Sequence, residues 1–183
     1  MKNKANIFLG AITALYLSAS VHADDQDKPF FGGESDVAYA IALWTSLEKD
    51  KLVGENAINV FPFKGNQPHG AIQQVLDTRL NVNGTDTRVI VKRNHGGEDI
   101  SVKSIYADPV RNLKAITVMA KREPGYDQEN LDWFWVKFTP DGKLNKNPAG
   151  VTLAGRIGKG ASTGCIACHK AIGGEDLETL TEK

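Results

Sequence analysis

Ile72-Gln73-Gln74-Val75-Leu76-Asp77-Thr78-Arg79-Leu80-Asn81-Val82 runs into Asn83-Gly84 and leaves through Thr87-Arg88-Val89-Ile90-Val91-Lys92-Arg93. Ile72, Leu76, Leu80 and Val82 share one parity while Gln73, Asp77, Arg79 and Asn81 take the other, so the first run reads as a strand with one apolar face. Asn83-Gly84 is the strongest short hairpin signal, because both residues tolerate the positive φ of a two-residue turn. Thr87 to Arg93 is then the returning strand. Lys114 to Lys121 and Trp133 to Phe138 repeat the pattern of short runs rich in Val, Ile, Thr and aromatics. Glu123-Pro124-Gly125-Tyr126-Asp127 joins them, and Pro140-Asp141-Gly142 closes the last. The expected fold class is α+β, mainly antiparallel β-sheet with flanking helices.

Upstream the period changes from two to three and four. Val37, Ala40, Ile41, Trp44 and Leu47 fall on one face of a helix from Asp36 to about Lys51, with Ser35 available as its cap and Gly54 as its stop. Asp24 to Gly33 is polar and then rich in Pro and Gly, the composition of an arm. The chain opens with Met1-Lys2-Asn3-Lys4, an apolar run from Ala5 to Leu17, and the small-residue exit Ser18-Ala19-Ser20-Val21-His22-Ala23. Basic start, short apolar middle and small exit are the order of a secretory signal peptide. The run falls short of the ~20 apolar residues of a membrane span, so no span is expected after cleavage at Ala23. The organisation read from this is signal peptide 1–23, arm 24–35 and one domain 36–183, exported to the periplasm. Loss of Lys2 and Lys4 changes the balance from 22 basic against 22 acidic residues to 20 against 22, which excludes the basic surface of a nucleic-acid binder.

Both cysteines of the chain lie in Gly164-Cys165-Ile166-Ala167-Cys168-His169. Cys-x-x-Cys-His is the pattern of c-type haem attachment: each thiol forms a thioether to a haem vinyl group, and the adjoining histidine ligates the iron. Cys165, Cys168 and His169 are therefore the expected binding residues for one covalent haem c, with His169 as an axial ligand. A thioredoxin-like pair requires a βαβ context, and a zinc site requires a second ligand pair, neither of which the sequence supplies. A short helix is expected to continue from His169 through Lys170 to Ile172, with a terminal helix over 175–182. Three residues are available as a sixth ligand: Met119, which reads as a core residue of a strand, and His69 and His95, which read as loop residues at the surface. Arg156 and Lys159 are candidates for the haem propionates. Gly158, Gly160 and Gly164 would let backbone approach the porphyrin. Phe61 and Phe63 are candidate distal caps, and Trp133 and Trp135 must face opposite to Phe134 and Phe138 on their strand.

An exported, sheet-rich chain with Val89-Ile90-Val91-Lys92, Val118-Met119-Ala120-Lys121-Arg122, Gly125-Tyr126-Asp127, Asp132-Trp133-Phe134-Trp135 and a late Gly-Cys-Ile-Ala-Cys-His resembles the cytochrome P-460 family, which includes the cytochrome c′-beta proteins. The resemblance runs from roughly Val60 to His169. It implies an antiparallel fold, a five-coordinate haem with His169 proximal, an open distal iron site that binds nitric oxide or a related small nitrogen species, and homodimerisation. In some members a lysine cross-linked to the haem, with a distal acid, supports hydroxylamine oxidation. Lys64, Lys92, Lys121 and Lys137 are the candidate lysines here, and Arg93 stands where an acid would be expected. Two alternatives stay open: a six-coordinate electron-transfer cytochrome serving a periplasmic donor or acceptor protein, and a hydroxylamine-oxidising enzyme.

Overall fold

A computed structural model describes residues 30–65, 67–157, 164–173 and 177–178. The signal peptide, most of the arm, Gly158, Lys159, Gly160 and nearly all of the expected terminal helix lie outside the described residues. The fold is α+β. Strands β1 (Phe63–Lys64), β2 (Ile72–Val82), β3 (Thr85–His95), β4 (Leu113–Lys121), β5 (Trp133–Phe138) and β6 (Ala154–Gly155) form one antiparallel sheet in sequence order. Three helices accompany it among the described residues: α1 (Glu34–Lys49), α2 (Val102–Ala107) and the C-terminal α3 (Cys165–Gly173). None is long and apolar enough to cross a membrane.

Asn83 and Gly84 make the hairpin turn with φ of 51° and 87°, as the two-residue connection requires. The returning strand extends two residues beyond the apolar run at each end, because Thr85 pairs with Val82 and polar His95 still pairs with Ile72. Pairing with β4 shifts register between Asn94 and His95, which pair with Ala115 and Leu113, the local irregularity a bulge produces.

The sheet is buried on both faces. On one side Ala40, Leu43 and Leu47 of α1 pack over Leu76, Leu80, Val89, Val91, Ile116, Val118, Phe134 and Phe138. Ile90, Met119, Trp133 and Trp135 line the other side with Ile157, Ile166 and Leu177, so the two tryptophans do face opposite to the two phenylalanines.

Helix α1 starts at Glu34, ahead of the expected Asp36, with Gly33 at the N-cap and no side-chain cap. Ser35 therefore lies inside the first turn. The buried stripe is Asp36, Ala40, Leu43 and Leu47, and Ile41 is 59 % exposed. The reason is packing: Tyr39 sets its ring edge on Phe134 and Trp44 tilts onto Phe138, both at 4.9 Å between centroids, which turns the helix so that Leu43 rather than Ile41 points inward. Gly142 makes room for Trp44, since a Cβ there would collide with its indole. The end of the arm is packed rather than free. Phe31 bridges Gly155 beyond β6, and Gly32 N–H donates to the Ala154 carbonyl at 2.9 Å. Helix α2 was not foreseen; Ser101 and Ser104 form a reciprocal capping box around its first turn, with serine in the place usually marked by Glu or Gln.

Arg93 is 3 % exposed and spans the α1 side of the sheet. Its Nε and Nη2 donate to the Leu52 carbonyl at 3.1 and 2.6 Å, and Nη1 donates to the Ile58 carbonyl at 2.8 Å. It thereby ties the segment after α1 to the sheet. Arg93→Ala is expected to lower stability by about 3 kcal/mol, because two carbonyls lose charge-assisted donors. Ile41→Ser on the outer face of α1 should change it by less than about 0.5 kcal/mol. Urea midpoints of the two variants check both, and equal effects would mean that the helix face has been assigned wrongly.

Candidate functional site

A cavity of about 690 Å³ lies against the sheet face opposite α1, between the loop before β2 and helix α3. Its sheet wall follows from strand parity and register. Ile90, Met119 and Trp135 form one row across β3, β4 and β5, and Lys92, Thr117 and Lys137 form the next. Asn94 and Ala115 continue the wall toward the bulge.

Helix α3 closes the opposite side. Positions i, i+3 and i+4 share one helix face, so Cys165, Cys168 and His169 all reach the cavity. The helix begins at Cys165 itself, so the whole motif is helical, not only the residues after His169. Both thiols are free and exposed, whereas Ile166 is buried in the apolar cluster and pins the helix to the sheet. His169 is 3 % exposed. Its Nδ1 lies 2.6 Å from the Leu177 carbonyl oxygen, which can only accept, so Nδ1 carries the proton and donates. Nε2 is then the lone-pair nitrogen, the arrangement that orients a metal-ligating histidine. The Trp135 ring meets the imidazole edge-on at 4.7 Å. Burial holds the His169 pKa below its ordinary value, favouring the neutral form that ligation needs.

The loop before β2 supplies His69. Gly65 N–H donates to the Ala71 carbonyl at 2.8 Å and closes the loop's neck. Gly70 has φ +94°, and a Cβ there would lie 2.5 Å from the His95 carbonyl oxygen, so only glycine fits. The His69 ring stands 6.0 Å from that of His169, with the planes 83° apart. Its Nδ1 is 3.5 Å from Thr117 Oγ1, and Asn94 Nδ2 donates to that same hydroxyl at 3.2 Å and to the Lys92 carbonyl at 3.3 Å. Burial, then the charge of Lys92, holds the His69 pKa down to about 4. Burial also lowers that of Lys92 to about 8.

The remaining candidates separate cleanly. His95 is fully buried on the α1 side of the sheet, its ring nitrogens each 3.3 Å from the Arg111 carbonyl and Gln74 Oε1. It is a core histidine, neither a surface residue nor part of the cavity lining. Met119 is a core residue that also borders the cavity. Phe61 is 71 % exposed against Tyr106, and neither it nor Phe63 lines the cavity. Arg156 lines a different hollow of about 860 Å³ at the start of α1, with Asp36, Arg122 and Tyr126. Of the four lysines, Lys92 and Lys137 face the cavity, while Lys64 and Lys121 are exposed; Lys121 donates to the Leu131 carbonyl and lies 5.0 Å over the Trp133 ring. Thr117, Asn94 and the Leu177 carbonyl carry no sequence motif. Thr117 could have been found only by its shared parity with Met119.

Acid should act on this side of the molecule through His69. It titrates near 6.5 in the unfolded chain and near 4 in the folded one, so the unfolded state binds the extra proton in between. The stability it leaves intact above pH 6.5 is lost as pH falls, by up to roughly 3 kcal/mol at pH 4. His69→Gln is expected to flatten that part of the decline in urea titrations at pH 7 and pH 4.5. An unchanged slope would place His69 in water. The chain matches no family model, no curated protein and no solved structure.

Proposed function

We propose that this protein is a periplasmic mono-haem c-type cytochrome that takes nitric oxide or a related small nitrogen species as a ligand. The observation that carries the reading is the convergence on one cavity of two exposed thiols and a buried imidazole whose Nδ1 is fixed by the Leu177 carbonyl. The cavity fits the group in three respects. Its volume of about 690 Å³ lies within the range of about 300–1,000 Å³ for cofactor-sized ligands. The walls are mostly apolar, with Ile90, Ala115, Met119 and Trp135. Asn94 Oδ1 and Trp135 Nε1 are buried on those walls without a partner, and buried polar atoms in that condition call for a polar occupant or water.

Cys165 and Cys168 would hold the haem through thioethers, and His169 would ligate its iron through Nε2. Lys114 and Lys137 stand on the cavity wall and would balance the two propionates by charge. The bound haem supplies an iron that accepts a small ligand and exchanges electrons with a periplasmic partner protein. The apolar walls favour uncharged diatomics over charged substrates, because a desolvated charge is costly there.

A second reading, hydroxylamine oxidation through a lysine–haem bond, is favoured by Lys92. Its amine is buried on the cavity wall, and its lowered pKa leaves more of it unprotonated than in a surface lysine, as a nucleophile requires.

The test is the spectrum of the matured protein, ferric and ferrous, with and without nitric oxide. A c-type pyridine haemochrome that is absent from the Cys165→Ser, Cys168→Ser variant, and a Soret band that moves on adding nitric oxide, are expected. A haem-loaded protein indifferent to nitric oxide would leave an electron carrier. A strongly red-shifted ferrous Soret, with a haem-bearing peptide that contains Lys92, would establish the second reading.

A further inference from the structure

We infer that His69 occupies the axial position opposite His169 in the resting protein, and that a small ligand gains the iron by displacing it. The inference rests on the haem reading above and goes on to name what fills the other side of the iron.

Three observations carry it. The first is spacing. A metal–imidazole nitrogen bond is about 2 Å and the ring centre lies about 1 Å farther, so imidazoles on opposite sides of one metal ion have centroids roughly 6 Å apart. The two rings here are 6.0 Å apart. That spacing admits the metal and no diatomic or water beside it, which separates a ligand from a distal hydrogen-bond donor. The interplanar angle of 83° is no obstacle, since each ring needs only to contain the axis.

The second is matched polarity. Each imidazole has Nδ1 facing an oxygen, Leu177 O for His169 and Thr117 Oγ1 for His69; the carbonyl can only accept, and the hydroxyl is able to accept as well, the direction that leaves Nε2 to the metal on both rings. Thr117 Oγ1 has two lone pairs; Asn94 Nδ2 takes one and leaves one for His69 Nδ1–H. Asn94 is held in that orientation by donating to the Lys92 carbonyl.

The third is positioning. A Cβ at Gly65 would lie 2.6 Å from the Gly70 carbonyl oxygen, and one at Gly70 would lie 2.5 Å from the His95 carbonyl oxygen. Gly65 and Gly70 are therefore packed at backbone contact on either side of His69. The rival ligands are placed otherwise: His95 lies on the other sheet face, and Met119 pairs with Trp135, the residue that backs His169.

The experiment uses the matured protein. Its haemochrome establishes covalent haem independently of what fills the sixth position. The ferric protein is then expected to be low-spin by absorption and electron paramagnetic resonance. His69→Gly should convert it to high-spin, and added imidazole should restore the low-spin signal. Nitric oxide should bind the glycine variant with apparent affinity raised by about tenfold or more, because the competing ligand that reduced the open fraction is gone. Thr117→Val removes only the oxygen behind Nδ1 and should raise the high-spin fraction of the haem-loaded protein. A haem-loaded wild type that is high-spin overturns the inference and leaves the haem reading intact; so does a low-spin wild type whose signal survives His69→Gly. A protein without covalent haem overturns both.

Discussion

Strand β3 is buried on both faces from Val89 to His95, and its period of two sends alternate residues into two different interiors. Val89, Val91, Arg93 and His95 serve the packed layer beneath α1, whereas Ile90, Lys92 and Asn94 serve the cavity wall. Neighbouring strands inherit this division through register. β4 contributes Ala115, Thr117 and Met119 to the cavity, and β5 contributes Trp135 and Lys137. The sheet thus acts as a partition. One side is filled to close packing by aliphatic and aromatic side chains, and the other keeps a space bordered by α3, the loop before β2, Phe31, Asn147 and Leu153.

What closes that space is largely local chemistry. Ile166 anchors α3 into the apolar cluster, and the two thiols and the imidazole line the cavity from the same helix. A single carbonyl, that of Leu177, then sets the proton of His169. The polar groups on the facing wall are arranged by short-range constraints too: Asn94 against the Lys92 carbonyl and Thr117, and Thr117 beside His69. Side chains with few rotamers and fixed neighbours make a site that is largely formed before anything enters it.

The hairpin was legible because Asn83-Gly84 admits one turn type and the flanking alternation is regular. The strands after it were legible for the same reason, to within a few residues. The helix before it was legible as a helix but not as a surface: Ile41 and Leu43 are equally apolar, and only the ring contacts of Tyr39 and Trp44 decide between them. Helix α2, of six residues, is too short to show a period. Among the cavity residues, Cys165, Cys168 and His169 stand out in the sequence by the Cys-x-x-Cys-His motif, whereas their sharing of one helix face follows only from α3 beginning at Cys165. His95 was misread because it follows Asn94 and precedes two glycines, a turn-like context, while pairing with Ile72 keeps it in the strand. Which lysines reach the cavity was not legible, because facing depends on register across three strands and the sequence does not state register.

A partition built from one strand has a consequence for how the chain can diverge. Substitution at any single position of β3 alters one interior at a time. Deletion or insertion of one residue within it would exchange the two interiors, carrying Arg93 toward the cavity and Lys92 under the helix. Changes of length are therefore expected to be tolerated at the turn at Asn83-Gly84 and beyond the bulge at Asn94, and to be costly between Val89 and Asn94.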